Sequence, residues 1–308
     1  MNATFDSESD PYGAETAPGG SVQSFGKLSR PSLTALLTGL PMLSWQLVFF
    51  LGAGVILILM SFWTIKNFLI VPEYSLENWA ELIGSDLFRK VYVRTILYSG
   101  IAALAATVLA FPFAYALAFK ISPRARRIAF LLLIVPFFTS YLVRIYAWTF
   151  ILADDGPINY FLRQIGLPDW EMQGTLFAME IGYLTAFFPL VTLILLLSLM
   201  NVDRNLIEAA NNLGADRLRS IVEIVIPTAR IGIVSAFAFA FMLAFGDYVS
   251  PSFLGGSTRN TLSILIVGAT QAGGDFPKAA AIAVVMVVTL LVVIFIVFWL
   301  AFPRRRSA

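Results

Sequence analysis

Residues 277–301 read PKAAAIAVVMVVTLLVVIFIVFWLA, with Lys278 as the only charge. A bilayer core of about 30 Å is crossed by about 20 apolar residues rising about 1.5 Å each, so this stretch spans a membrane. Working outward, similar stretches lie at 46–69, 95–119, 128–152, 174–200 and 229–250, which makes about six spans in an all-α, polytopic membrane protein. Only 13% of residues are charged and 58% are apolar, against roughly a quarter charged in soluble domains.

Shorter segments fill in the organisation. Residues 32–44 are apolar but short and interrupted by Pro41, which predicts an interfacial helix leading into the first span. Residues 261–270 are too short to cross and predict a short helix packed between the fifth and sixth spans. Residues 1–30 are rich in Ser, Gly, Asp, Glu and Pro, a composition that cannot offset its ordering entropy, and are read as a disordered tail. No cleaved signal peptide is expected. The domain reading is therefore 1–45 as tail and interfacial helix, 46–303 as the membrane domain with a special loop at 201–228, and 304–308 as a basic tail.

The residue inventory excludes several chemistries. With no Cys and no His, thiol nucleophiles, disulfides, Cys-ligated metal and Ser-His-Asp schemes are absent, so no catalytic residue, metal site or cofactor is expected. A net charge of +2 gives no reason to expect nucleic acid. The distribution of charge is more informative. Lys27, Arg30, Lys120, Arg124, Arg126, Arg127, Arg204, Arg217, Arg219, Arg230 and Arg304 to Arg306 fall on one set of loops. The alternate loops mix fewer basic residues with Glu73, Glu77, Glu81, Asp86, Asp154, Asp155, Asp169 and Glu171. The positive-inside rule places the first set, and both termini, in the cytoplasm, as an even number of spans requires.

The loop at 201–228 differs from the others. Ile207, Ala210, Gly214, Leu218 and Ile221 recur at helical spacing, while Glu208, Asn211, Asn212, Asp216, Arg217 and Arg219 fall largely elsewhere. Gly214 can take positive φ and let two short helices meet at an angle, and Ile226-Pro227 is expected to end the segment. The result is a compact amphipathic element that offers small residues for another protein to grip.

Glu208-Ala209-Ala210, then Gly214, then Ile224 and Ile226-Pro227 resembles the EAA motif of permease subunits in bacterial ATP-binding-cassette importers, with Ile in place of the usual Leu before Pro. The resemblance is dense over 208–227 and implies the type I importer permease fold, in which this segment forms coupling helices that dock on an ATPase. It makes Glu208, Ala209, Ala210, Gly214, Ile226 and Pro227 the expected docking residues. It implies as partners an ATPase dimer, a second and different permease subunit, an extracytoplasmic solute-binding protein and the lipid of a bacterial cytoplasmic membrane. No Gly-x-x-x-x-Gly-Lys-Ser/Thr loop occurs in the chain, so ATP hydrolysis is expected in a separate polypeptide.

A second patch, Gly246-Asp247-Tyr248-Val249-Ser250-Pro251-Ser252-Phe253-Leu254-Gly255-Gly256, resembles the corresponding segment of the spermidine and putrescine branch, whose relatives also handle opines and other organic cations. Polyamine is the cargo this implies, with another organic cation, an opine or an amino-acid-like solute as alternatives, and an ion-coupled secondary transporter as the reading from a different class. Asp247 could meet a cation near the outer end of span five, with Tyr248 supplying a π face, or could simply bond the turn that follows. Arg144 lies inside span three and must face protein or water; it is either a gate or pathway residue, a structural partner of Glu180 or Asp247, or a side chain that snorkels to the interface. Phe137, Phe138, Tyr141, Tyr146 and Trp148 cluster along the same stretch, either as a cation-attracting wall or as ordinary packing.

Overall fold

The computed structural model describes residues 40–301 except 43, 68, 257, 258 and 272, and only the backbone of residue 300. The tail at 1–30, most of the segment at 32–44 and the basic end at 304–308 lie outside the described residues. The chain divides into two units, 1–53 and 54–308. Of the first, only the opening of helix α1 (Leu40–Met60) is described. Pro41 does not interrupt this helix, which is continuous past it to Met60.

The expected first span, 46–69, is shorter at its far end. Helix α1 stops at Met60, and a two-stranded antiparallel hairpin follows, β1 (Thr64–Lys66) and β2 (Leu69–Val71), with Ile65 opposite Ile70. The amide of Asn78 holds the stop in place by donating to the carbonyls of Ser61 at 3.3 Å and Trp63 at 2.8 Å, which removes the need for further helical partners. Asn78 belongs to the amphipathic helix α2 (Glu77–Gly84), whose Leu82 is buried.

The second unit is built around three long helices. α3 (Asp86–Tyr115) starts at a Ser85 side-chain cap and continues through a π-helical turn to Lys120. α7 (Leu176–Met200) and α10 (Arg230–Gly246) pack against it and against each other. Ala102, Ala103, Ala106, Ala110, Ala114 and Ala118 form a fully buried stripe down α3, which lets the backbones approach closely where lipid supplies no hydrophobic drive between helices. The opposite face of α3, with Leu97, Leu104 and Val108, is exposed and apolar, as a lipid-facing surface requires.

One expected span is bent, and another, 229–250, meets the loop helix before it at an angle. In place of a straight helix at 128–152 stand α4 (Pro123–Ile134), a 3-10 turn at Val135–Phe138, and α5 (Tyr141–Ile151). The two arms meet at 90°. Pro136 removes an amide and Thr139 and Ser140 take extended or non-helical backbone, so the helix cannot continue. The bend puts Phe137 and Phe138 on one side and Tyr141, Tyr146 and Trp148 on the other. After α6 (Pro157–Gln164) and α7, the segments Arg217–Thr228 and α10 meet at 75°.

Beyond α10 lie α11 (Val249–Leu254), the short helix α12 (Leu262–Gln271) and α13 (Phe276–Ala301). Between α7 and α10 lie α8 (Arg204–Asn212) and α9 (Arg217–Thr228). As expected, α12 is too short to cross; it packs mainly on α13 and α3, whereas the sequence placed it between α10 and α13. Among the described residues four helices are long and apolar enough to span a membrane, or six if each bent pair makes one span.

Candidate functional site

The loop at 201–228 folds as two short helices. Asp203 caps α8 by accepting from the Asn205 amide at 2.9 Å, and Asp216 caps α9 by accepting from Arg219 at 2.8 Å. Between them Gly214 takes φ of +85°, and the amide of Ala215 reaches back to the Ala210 carbonyl at 3.0 Å. Ser220 ties the helices by donating to Asn211 Oδ1 at 3.2 Å. A β-carbon on Gly214 would meet nothing within 4 Å, so the backbone angle, not crowding inside this chain, selects glycine.

Of the expected docking residues, Glu208, Ala209, Gly214, Ile226 and Pro227 are exposed and Ala210 is half-buried. Leu213 and Leu218, 89% and 72% exposed, add apolar knobs beside them. Leu218 was expected to share a face with Ile207 and Ile221; the turn at Gly214 rotates α9 relative to α8, so one helical wheel does not describe both. The segment ends one residue past Pro227, with the proline inside its last turn. The ladder ahead of it is π-helical over Ile221–Val225, with Ile226 N–H already bonded to Ile221, and the helix runs on to Thr228.

The second patch lies where α10 gives way to α11. The Asp247 carboxylate accepts from the amides of Val249 at 3.0 Å and Ser250 at 3.1 Å and from the Tyr141 hydroxyl at 2.6 Å. Because the Tyr141 hydroxyl donates to Asp247, its oxygen is left to accept from Ser250 Oγ at 2.6 Å. The turn bonds weighed for Asp247 are therefore present, and both of its oxygens are used. Gly182 of α7 is pressed against this corner, since a β-carbon there would sit 2.8 Å from Leu254 Cδ1 and Ser250 Oγ.

Arg144 joins Tyr141 in this patch, its guanidinium carbon 5.9 Å from the ring centroid. The partners expected for it are not the ones it has. Among the described residues no ion pair joins it to Glu180 or Asp247; its Nη1 donates to the carbonyl of Thr185 at 3.0 Å. Both oxygens of Glu180 and the Nε of Arg144 are buried with no hydrogen-bond partner among the described residues. Tyr141, Arg144 and Asp247 are thus brought together, while Tyr248 is 37% exposed and adjoins them through the chain. Ser250 and Thr185 were not foreseen; Pro189, four residues after Thr185, was the sequence signal for the second.

A family model described as a binding-protein-dependent transport system inner membrane component matches residues 107–302. The chain is 28% identical to the inner membrane ABC transporter permease protein YdcU of Escherichia coli (strain K12), covering 90% of this chain and 91% of that protein. It is 29% identical to the spermidine/putrescine transport system permease protein PotB of the same organism, covering 83% and 94%. The putative 2-aminoethylphosphonate transport system permease protein PhnU of Salmonella typhi is 26% identical over 70% of this chain and 75% of its own length. In fold, the chain matches a bacterial ABC transporter involved in the import of the acidic polysaccharide alginate, with a TM-score of 0.73 at 20% identity over 90% of this chain and 96% of that one.

Proposed function

We propose, taking as premise that the chain belongs to the family of binding-protein-dependent transport system inner membrane components, that this ABC importer permease subunit carries a polyamine of the spermidine and putrescine class. The observation that carries this reading is the Tyr141–Asp247 contact at the α10–α11 corner, a carboxylate and phenol ring beside the end of a span. The relatives named for spermidine and putrescine transport support the same class of cargo.

The rest of the assembly follows from the same reading. Both termini lie in the cytoplasm, the 201–228 loop faces an ATPase there, and Glu208, Ala209, Ala210, Gly214, Ile226 and Pro227 form the docking surface. A second permease completes the pathway, and a solute-binding protein delivers cargo to the opposite face. ATP-dependent uptake of labelled putrescine and spermidine into vesicles carrying the complete complex tests the cargo. Saturable uptake of either supports it, and failure of both in a complex that takes up another solute overturns it.

A second reading rests on Arg144, whose buried Nε has no hydrogen-bond partner among the described residues and whose charge would suit a carboxylate or phosphonate. It assigns an amino-acid-like solute to the same patch, and competition by amino acids against polyamines separates the two.

A further inference from the structure

The carbonyls that end α3 are collected by arginines from two other elements. Arg126 of α4 donates through Nε to Leu117 O at 2.6 Å and through Nη2 to Ala118 O at 2.7 Å. Arg204, the first residue of α8, donates through Nη2 to the same Ala118 carbonyl at 2.9 Å. Leu117 and Ala118 are 8% and 2% exposed, so these carbonyls are largely shielded from water. The guanidinium of Arg204 also lies over the Phe119 ring at 6.0 Å. Tyr115, Phe119, Lys120, Arg204, Ile207 and Glu208 line a cavity of about 230 Å³ beside this contact.

From this geometry we propose that Arg204 is the positioning residue that joins the docking loop to α3, carrying displacement of α8 directly into the central helix of the bundle. The last carbonyls of a helix have no partner within it and carry the negative end of its dipole, so a guanidinium is held there by both hydrogen bonding and charge. Arg126 alone would satisfy them. The donor added by Arg204 makes Ala118 O the shared end point of α4 and α8, and the Phe119 ring fixes the plane of the guanidinium. Because α3 packs along both α7 and α10, movement of its end is passed to α10, which ends at Asp247, and to α7, whose Thr185 carbonyl Arg144 of α5 holds.

This inference rests on the reading that the 201–228 loop docks an ATPase. The test is the ratio of solute taken up to ATP hydrolysed by the complete complex in vesicles. Arg204→Ala should still co-purify with the ATPase and hydrolyse ATP, with uptake per ATP lowered about fivefold or more. Arg204→Lys, which keeps the charge but not the fork, should recover part of the ratio. Arg126→Ala should lower thermal stability and leave the ratio unchanged, since its bonds join α3 to α4 and not to the docking loop. If Arg204→Ala yields no complex, Arg204→Gln is read by the same ratio. A parental ratio in Arg204→Ala, or in Arg204→Gln where Arg204→Ala does not assemble, overturns the joint, whereas absence of ATPase from the parental complex overturns the docking reading and the joint with it.

Discussion

Arg144 stands in for the amide that Pro189 lacks. In an uninterrupted helix the N–H of residue 189 would bond the carbonyl of residue 185; proline has none, and Arg144 Nη1 donates to Thr185 O at 3.0 Å instead. A charge inside a broken span and a proline inside an unbroken one are therefore one structural feature. Freed backbone groups at membrane depth must be satisfied by neighbouring elements, and α5 supplies the donor across its packing contact with α7.

That pairing sets the first prediction. Arg144→Leu should destabilise the complex by about 1–3 kcal/mol, because it strands a part-buried carbonyl. Pro189→Ala restores the amide and should make the Arg144→Leu change milder by about 1 kcal/mol. Thermal unfolding of the two single variants and the double variant in detergent reads the coupling; strictly additive losses would show that the two residues do not share Thr185.

Gly214 sets the second. A non-glycine residue there is held at positive φ, at a cost of about 1–3 kcal/mol, greatest for a β-branched side chain. Gly214→Val should give an assembled or weakly assembled complex without transport, and Gly214→Asn, which tolerates this backbone angle, should stay near the parent. Parental uptake by Gly214→Val would count against the angled α8–α9 corner as the coupling device.

Asp247 and Tyr141 set the third. Asn at 247 keeps one acceptor oxygen where the structure uses two, so Asp247→Asn should lower assembly as well as uptake. Tyr141→Phe leaves both backbone bonds to Asp247 in place and should cost only about 0.5–1.5 kcal/mol in stability. If the corner lies on a cation pathway, Tyr141→Phe lowers polyamine uptake in a complex of normal yield; unchanged uptake at normal yield leaves Asp247 as a turn residue.

The fourth concerns pH. Arg163 Nε and Nη2 grip the Asp169 carboxylate at 2.8 Å and 2.9 Å, closing the segment that follows α6. The hydrogen bond from Arg163 holds the Asp169 pKa below its ordinary value of 3.8. A depressed carboxylate pKa means that the contribution is complete above the ordinary value and is lost as pH falls through the lowered one. Both side chains are exposed, so salt should weaken the pair as well. Limited proteolysis of 152–175 should accelerate below about pH 4. Asp169→Asn should bring that acid rate to neutral pH; equal rates for parent and variant at neutral pH would remove the pair from the account.

The number of membrane-scale apolar stretches, the short helix at 262–271 and the glycine-centred loop at 201–228 were all legible in the sequence. Each depends on composition, length or local backbone preference, which act within about 20 neighbouring residues. The stop of α1 at Met60 was not legible, because its cause is Asn78, on a different helix. Nor was the 90° break between α4 and α5, where Pro136 marked a weak point but packing decided how far the chain turned. Asp247 was legible as a turn residue; that a phenol from position 141 completes its shell was not. Glu180 and Arg144 have opposite charges and invited pairing, yet Arg144 reaches instead a carbonyl freed by a proline on another helix. Local chemistry names the groups that need partners, and only the tertiary arrangement decides which of several competing partners comes within about 3 Å.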